Sequence, residues 1–179
     1  RALPDDYHDL PDWEGIDAIE TVTVFLVNET EGVIDFENFK TAQFEGVDNN
    51  GILAPKLALR ATPGDNVKAY VVLNGNDTIL GTLKGATTPA AFETAYEKAV
   101  AEIASNLASN DGTNDVIMMT NTVKPTAINI QPNITEGEAM TGSANTFFVD
   151  VERVVSRAIT TVKAGIHTID VLNYLGEAG

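Results

Sequence analysis

Residues 147–159 read Phe-Phe-Val-Asp-Val-Glu-Arg-Val-Val-Ser-Arg-Ala-Ile, and the reading of the fold turns on them. In the first half, Phe147, Val149 and Val151 fall on one side of an extended chain, and Asp150 and Glu152 on the other. That is the period of two expected of a half-buried strand. Val151, Val154, Val155, Ala158 and Val162 also fit a helical stripe. The β-branched content and the lack of a preceding cap favour one long strand. A strand of that length is expected in the middle of a sheet.

Working outward, residues 18–28 (AIETVTVFLVN) carry Val22, Val24 and Leu26 on one face and Ile19, Phe25 and Val27 on the other. Apolar residues on both faces predict a strand covered on both sides or lying at an interface. After a turn at residues 29–32, residues 33–44 read as one strand broken by a bend. Asn49-Asn50-Gly51 marks a turn, and residues 52–60 a short strand interrupted by Pro55, hence at an edge or bulge. Residues 67–74 (VKAYVVLN) predict a strong strand and residues 78–83 a short one. Residues 88–107 predict a helix: Thr88 caps it, Pro89 fits its first turn, and Phe92, Tyr96, Ala99, Val100, Ile103 and Leu107 share one face. Residues 116–120 (VIMMT) form a short apolar strand, with Met118 and Met119 as core filler. Ile128 and Ile130 alternate between Pro125 and Pro132, and residues 133–145 read as a polar loop. Residues 165–175 restart an alternating pattern.

The 179 residues carry a net charge of −15. Such a surface repels nucleic acid and anionic lipid. The acid is spread along the chain, as on a solubility surface. There is no cysteine, so thiol catalysis, zinc–thiolate sites and disulfides are excluded. No apolar run is long enough to span a bilayer as a helix.

The search for chemistry is meagre. His8 and His167 lie far apart, without motif neighbours. No HExxH, GxSxG, Walker or GxGxxG pattern occurs. The acidic turns at residues 48–51 and 110–115 lack the spacing of a calcium loop. Asp150 and Glu152 stand beside Arg153 and Arg157 and read as a structural ion-pair ladder rather than as catalytic carboxylates opposed across a cleft. No enzyme, cofactor or metal is expected. Residues 1–15 hold Pro4, Pro11 and several Asp without apolar period, and read as an extended leader. Arg1-Ala2 has the composition of a trypsin-type processing junction, although an arbitrary chain boundary is the simpler reading of those two residues alone.

Three fragments in order, residues 67–76 (VKAYVVLNGN), 116–120 (VIMMT) and 149–158 (VDVERVVSRA), resemble the N-terminal domain of the Bacteroidales fimbrillin, or type V pilin, family. The likeness is greatest to the shaft subunits of the short (minor) fimbriae of Porphyromonas. With the first strand and the helix, the set spans most of the chain. The resemblance implies a transthyretin-like β-sandwich of about seven strands, with one amphipathic helix at about residues 88–108. It implies an N-terminal pilin domain over residues 16–164, and a linker or the start of a second domain at 165–179. It further implies export as a lipoprotein precursor, cutting by an Arg-specific protease after Arg1, and exposure at the cell surface in a fimbrium. A donor strand from a neighbouring subunit would then fill the opened groove. The implied partners are other copies of the pilin, accessory and anchor subunits, and host or bacterial surface proteins. One departure stands out: a subunit cut after Arg1 should begin at Ala2, whereas Arg1 is present.

Overall fold

The computed structural model describes residues 18–47, 52–101, 108–110, 115–142 and 144–154. The protein is mainly β, with antiparallel sheets and three helices among the described residues, an arrangement consistent with a β-sandwich.

Two strands make the centre, β1 (Thr21–Asn28) and β5 (Gly64–Leu73), paired antiparallel from Val22↔Leu73 to Asn28↔Val67. Both are covered on both faces, as the two-faced apolar pattern of residues 18–28 predicts. Phe25, Val27, Tyr70 and Val72 belong to one core cluster; Val24, Leu26, Val67, Ala69, Val71 and Leu73 belong to a second. On the far side of β1 lies β2 (Val33–Lys40). A 3-10 turn, Thr41–Gln43, follows and leads into β3 (Phe44–Val47), which pairs with β4 (Ile52–Pro55) as a separate hairpin. The predicted bend in residues 33–44 is therefore a change of sheet.

Helices cover the first cluster. The α1 helix, Asp77–Lys84, occupies the segment predicted as a short strand. The side chain of Asn76 accepts a hydrogen bond from the Ile79 amide, and Ile79, Leu80 and Leu83 are buried, so cap and helical spacing outweigh β propensity. Gly75 is needed at the approach: a Cβ there would lie 2.8 Å from Val72 and 2.9 Å from Leu80. The α2 helix, Pro89–Ala101, starts as expected, with the Ala91 amide donating to Thr88 Oγ1. Phe92, fully buried, rests on Phe25 and Tyr70 at ring separations of 5.0 and 5.2 Å. The C-terminal part of the predicted helix, residues 102–107, lies outside the described residues.

The second cluster is closed by Phe39 and Phe44, with Leu59, Ala61, Phe147, Val149 and Val151 packed against it. The remaining strands are short: β6 (Ala108–Asn110) pairs β7 (Asp115–Ile117), while β8 (Met119–Asn121) and β9 (Ile128–Ile130) both flank β5. Residues 133–145, expected as loop, include α3 (Glu136–Met140), started by a Thr135/Glu138 capping box.

Residues 147–154 depart from the expected central strand. Their alternation holds in three dimensions: Phe147, Val149 and Val151 are half-buried, and Phe148, Asp150 and Glu152 are exposed. Yet only Val151–Arg153 forms a strand, β10, and β10 is at the margin of a six-stranded sheet ordered β10-β8-β5-β1-β2, with β9 also paired to β5, and not in its middle. Its neighbour β8 offers only three residues before leaving the ladder, so little backbone is available to pair with. The length of the stretch thus marks a segment that packs by side chains. Its continuation beyond residue 154 lies outside the described residues. The described residues hold ten strands, five of them only three residues long.

Candidate functional site

The feature that stands out is the outer flank of β5. From Val72 to Val67 the strand advances five residues; its neighbour, from Thr120 to Ile128, advances eight. Three residues are surplus, and residues 122–127 leave the sheet as a wide bulge. That detour takes the backbone partner away from Ala69 and Val71.

Side chains replace it. The Val71 amide donates to Asn121 Oδ1 at 2.8 Å, and Asn121 Nδ2 donates to the Ala69 carbonyl at 3.0 Å. The carboxamide thus takes the place of a peptide group in the ladder, and only one orientation of it satisfies both bonds. The Tyr96 hydroxyl lies 3.2 Å from the Val71 carbonyl and 3.1 Å from Asn121 Oδ1, and accepts from the Asn121 amide at 3.0 Å. Burial pushes the Tyr96 phenol up to about 12, and a hydrogen bond from Asn121 opposes the rise. It is a neutral hydroxyl at any ordinary pH.

Between α2 and the bulge is an open cleft of about 260 Å³. Tyr70 and Tyr96, edge to face at 4.7 Å, form its floor; Val123 and Pro125 form one wall, and Glu93 and Glu97 the other. Lys124 spans the mouth, with Nζ 2.6 Å from Glu93 and 3.7 Å from Glu97. Glu93 also receives the Tyr70 hydroxyl at 3.4 Å and lies 3.9 Å from Lys68, whose Nζ is 2.6 Å from Glu29. Lys124 first, then Lys68 and Tyr70, hold the Glu93 carboxyl below its ordinary value against some desolvation. Burial, then the nearby Glu93 charge, raises the Tyr70 phenol well above its usual range. The arrangement offers an aromatic floor rimmed by charged side chains.

Two further features concern association. Beyond β2 no strand follows among the described residues, and Phe36 on it is 44% exposed. A small apolar pocket lies between the sheet and the β3–β4 hairpin, lined by Val22, Val24, Phe39, Phe44, Leu53, Ala54 and Pro55.

The candidate processing residues Arg1 and Ala2 lie outside the described residues, as do His8, His167, Arg157 and the turn at 48–51. Asp150 and Glu152 do share one exposed side. Among the described residues no three His, Cys, Asp or Glu side chains gather as metal ligands. Sequence reasoning missed the cleft. Tyr70 and Tyr96 looked like ordinary core positions, and nothing local foretold a bulge except Pro125, ahead of the Ile128–Ile130 alternation. No protein-family model matches the chain.

Proposed function

We propose that this chain is a structural subunit of a cell-surface fimbrium, joining other copies through strand addition, with an Arg-specific protease acting at Arg1-Ala2 as the trigger. The ordered fragments at residues 67–76, 116–120 and 149–158 support the reading. So does the chemistry of the described fold. The observation that carries it is the margin of the sheet: among the described residues β2 ends the strand order with Phe36 44% exposed, and a small apolar pocket lies on the opposite face. An uncovered strand edge is a template for another strand, which supplies main-chain hydrogen bonds and alternate side chains. A repeated head-to-tail contact of that kind does not close and therefore builds a filament. The transthyretin-like topology, the lipoprotein route and the anchor and accessory partners belong to the same proposal. In this reading the protein is building material and not an enzyme.

The test is polymerisation. The purified full-length subunit is treated with an Arg-specific protease and viewed by electron microscopy. Filaments that fail to form when Arg1 is replaced by Ala support the role; monomers that persist after complete cleavage count against it. The second reading is an accessory or tip adhesin that binds glycan or host protein. The tyrosine-floored cleft favours it, and glycan-array binding by a chain that does not polymerise would select it.

A further inference from the structure

We propose that residues 122–127 are a salt-releasable strap, the wall of the cleft that Lys124 ties to α2 beside the Tyr70–Tyr96 floor, and that releasing it widens the cleft. The inference does not depend on the fimbrial reading. Three observations converge on it.

First, the strap is not part of the sheet. The surplus of three residues against β5 forces it outward, so between Thr122, whose amide still bonds the Asp150 carbonyl, and Ile128 no ladder to β5 holds it. Second, little apolar burial holds it either. Thr122, Val123, Lys124, Thr126 and Ala127 are exposed, Val123 to 70%, and only Pro125 is half-buried. Third, the strap is tied to α2 through Lys124, whose ammonium reaches Glu93 at 2.6 Å and Glu97 at 3.7 Å. At one end Thr122 is fixed by its amide, which donates to the Asp150 carbonyl, and at the other Ile128 returns to β5. The geometry is that of a loop with two fixed ends and one electrostatic clasp at its middle.

An exposed ion pair weakens with salt, because counter-ions screen it. When the clasp opens, the first groups uncovered are the Asn121 carboxamide and the Tyr96 hydroxyl. Those are the acceptors of the Val71 and Asn121 amides. The two amide protons are therefore reporters of the strap.

The experiment is hydrogen exchange by NMR on the whole chain, comparing wild type at low and high salt with Lys124→Ala at low salt. The expected result is about twofold to fivefold faster exchange at Val71 and Asn121, the range an exposed pair can impose on an equilibrium. Both perturbations should act alike, and amides of the β1–β5 ladder should keep their rates. Lys56→Ala, which removes an exposed charge from the β3–β4 hairpin, should change neither reporter. Unchanged rates at Val71 and Asn121 overturn the proposal. So does a uniform acceleration that includes β1, since Lys124 would then act on global stability. The salt series on wild type decides the matter even if the variant folds poorly.

Discussion

The two flanks of β5 solve one problem in different ways. Toward β1, seven consecutive residue pairs run from Val22↔Leu73 to Asn28↔Val67 without a break. Toward β8 and β9 the ladder is interrupted, and a carboxamide and a phenol satisfy the backbone between. A backbone ladder tolerates most side-chain substitutions, because the bonds belong to the main chain. A ladder patched by side chains does not. The same strand is therefore robust on one flank and dependent on two named residues on the other.

The aromatic packing beneath both flanks sets the upper bound on any substitution. Phe92 is fully buried against Phe25, Tyr70 and Tyr96. Phe92→Ala is expected to cost about 3–5 kcal/mol in urea unfolding, the usual range for emptying such a site. A loss below about 1 kcal/mol would mean that α2 does not seal the sheet.

Asn121→Ala breaks the comparison most directly. It leaves the Val71 amide and the Ala69 carbonyl without their partner, at about 2–3 kcal/mol for the two groups together. Tyr96→Phe removes the hydroxyl alone and should cost about 1–2 kcal/mol. On the intact flank Thr23→Val is the counterpart. Thr23 is fully buried, but its hydroxyl bonds only the half-buried Asn38 side chain at 2.9 Å. The loss should stay below about 1 kcal/mol, because Asn38 can turn to water. Equal costs for Asn121→Ala and Thr23→Val would erase the distinction between the flanks.

The intact flank was legible in the sequence and the patched one was not. In β1, apolar residues on both faces called for cover on both sides or for an interface, and the fold itself supplies the cover. In β5 the run from Val67 to Leu73 carries the same message. These signals are local, and strand periodicity reports them well. The bulge depends on a count of residues between two contacts of β5 with distant chain, which no local pattern encodes. The role of Asn121 follows from that count. The same limit explains residues 147–154. Their alternation correctly gave the buried side, but their place in the strand order depends on how much of β8 remains in the ladder. In α1 the miss was of another kind: Asn76 with Ile79, Leu80 and Leu83 held the signal for a capped helix, and β propensity in a short window masked it.

The smallest expected effect is in the charge network that crosses the patched flank. Glu29 and Glu93 both lie below the ordinary carboxylate value of 4.5, held there chiefly by Lys68 and Lys124 respectively. A carboxyl whose folded value is depressed adds stability that is complete above its unfolded value and is lost as pH falls through the folded one. Stability should therefore be level near neutrality and decline as pH drops below about 4.5. Glu93→Gln should flatten part of that decline while costing under about 1 kcal/mol at pH 7, since the pairs are partly exposed. Lys68→Met should flatten the part that belongs to Glu29. Urea midpoints measured between pH 7 and 3 separate the two. If neither variant changed the slope below pH 4.5, the network would contribute nothing measurable, and the patched flank would stand on Asn121 and Tyr96 alone.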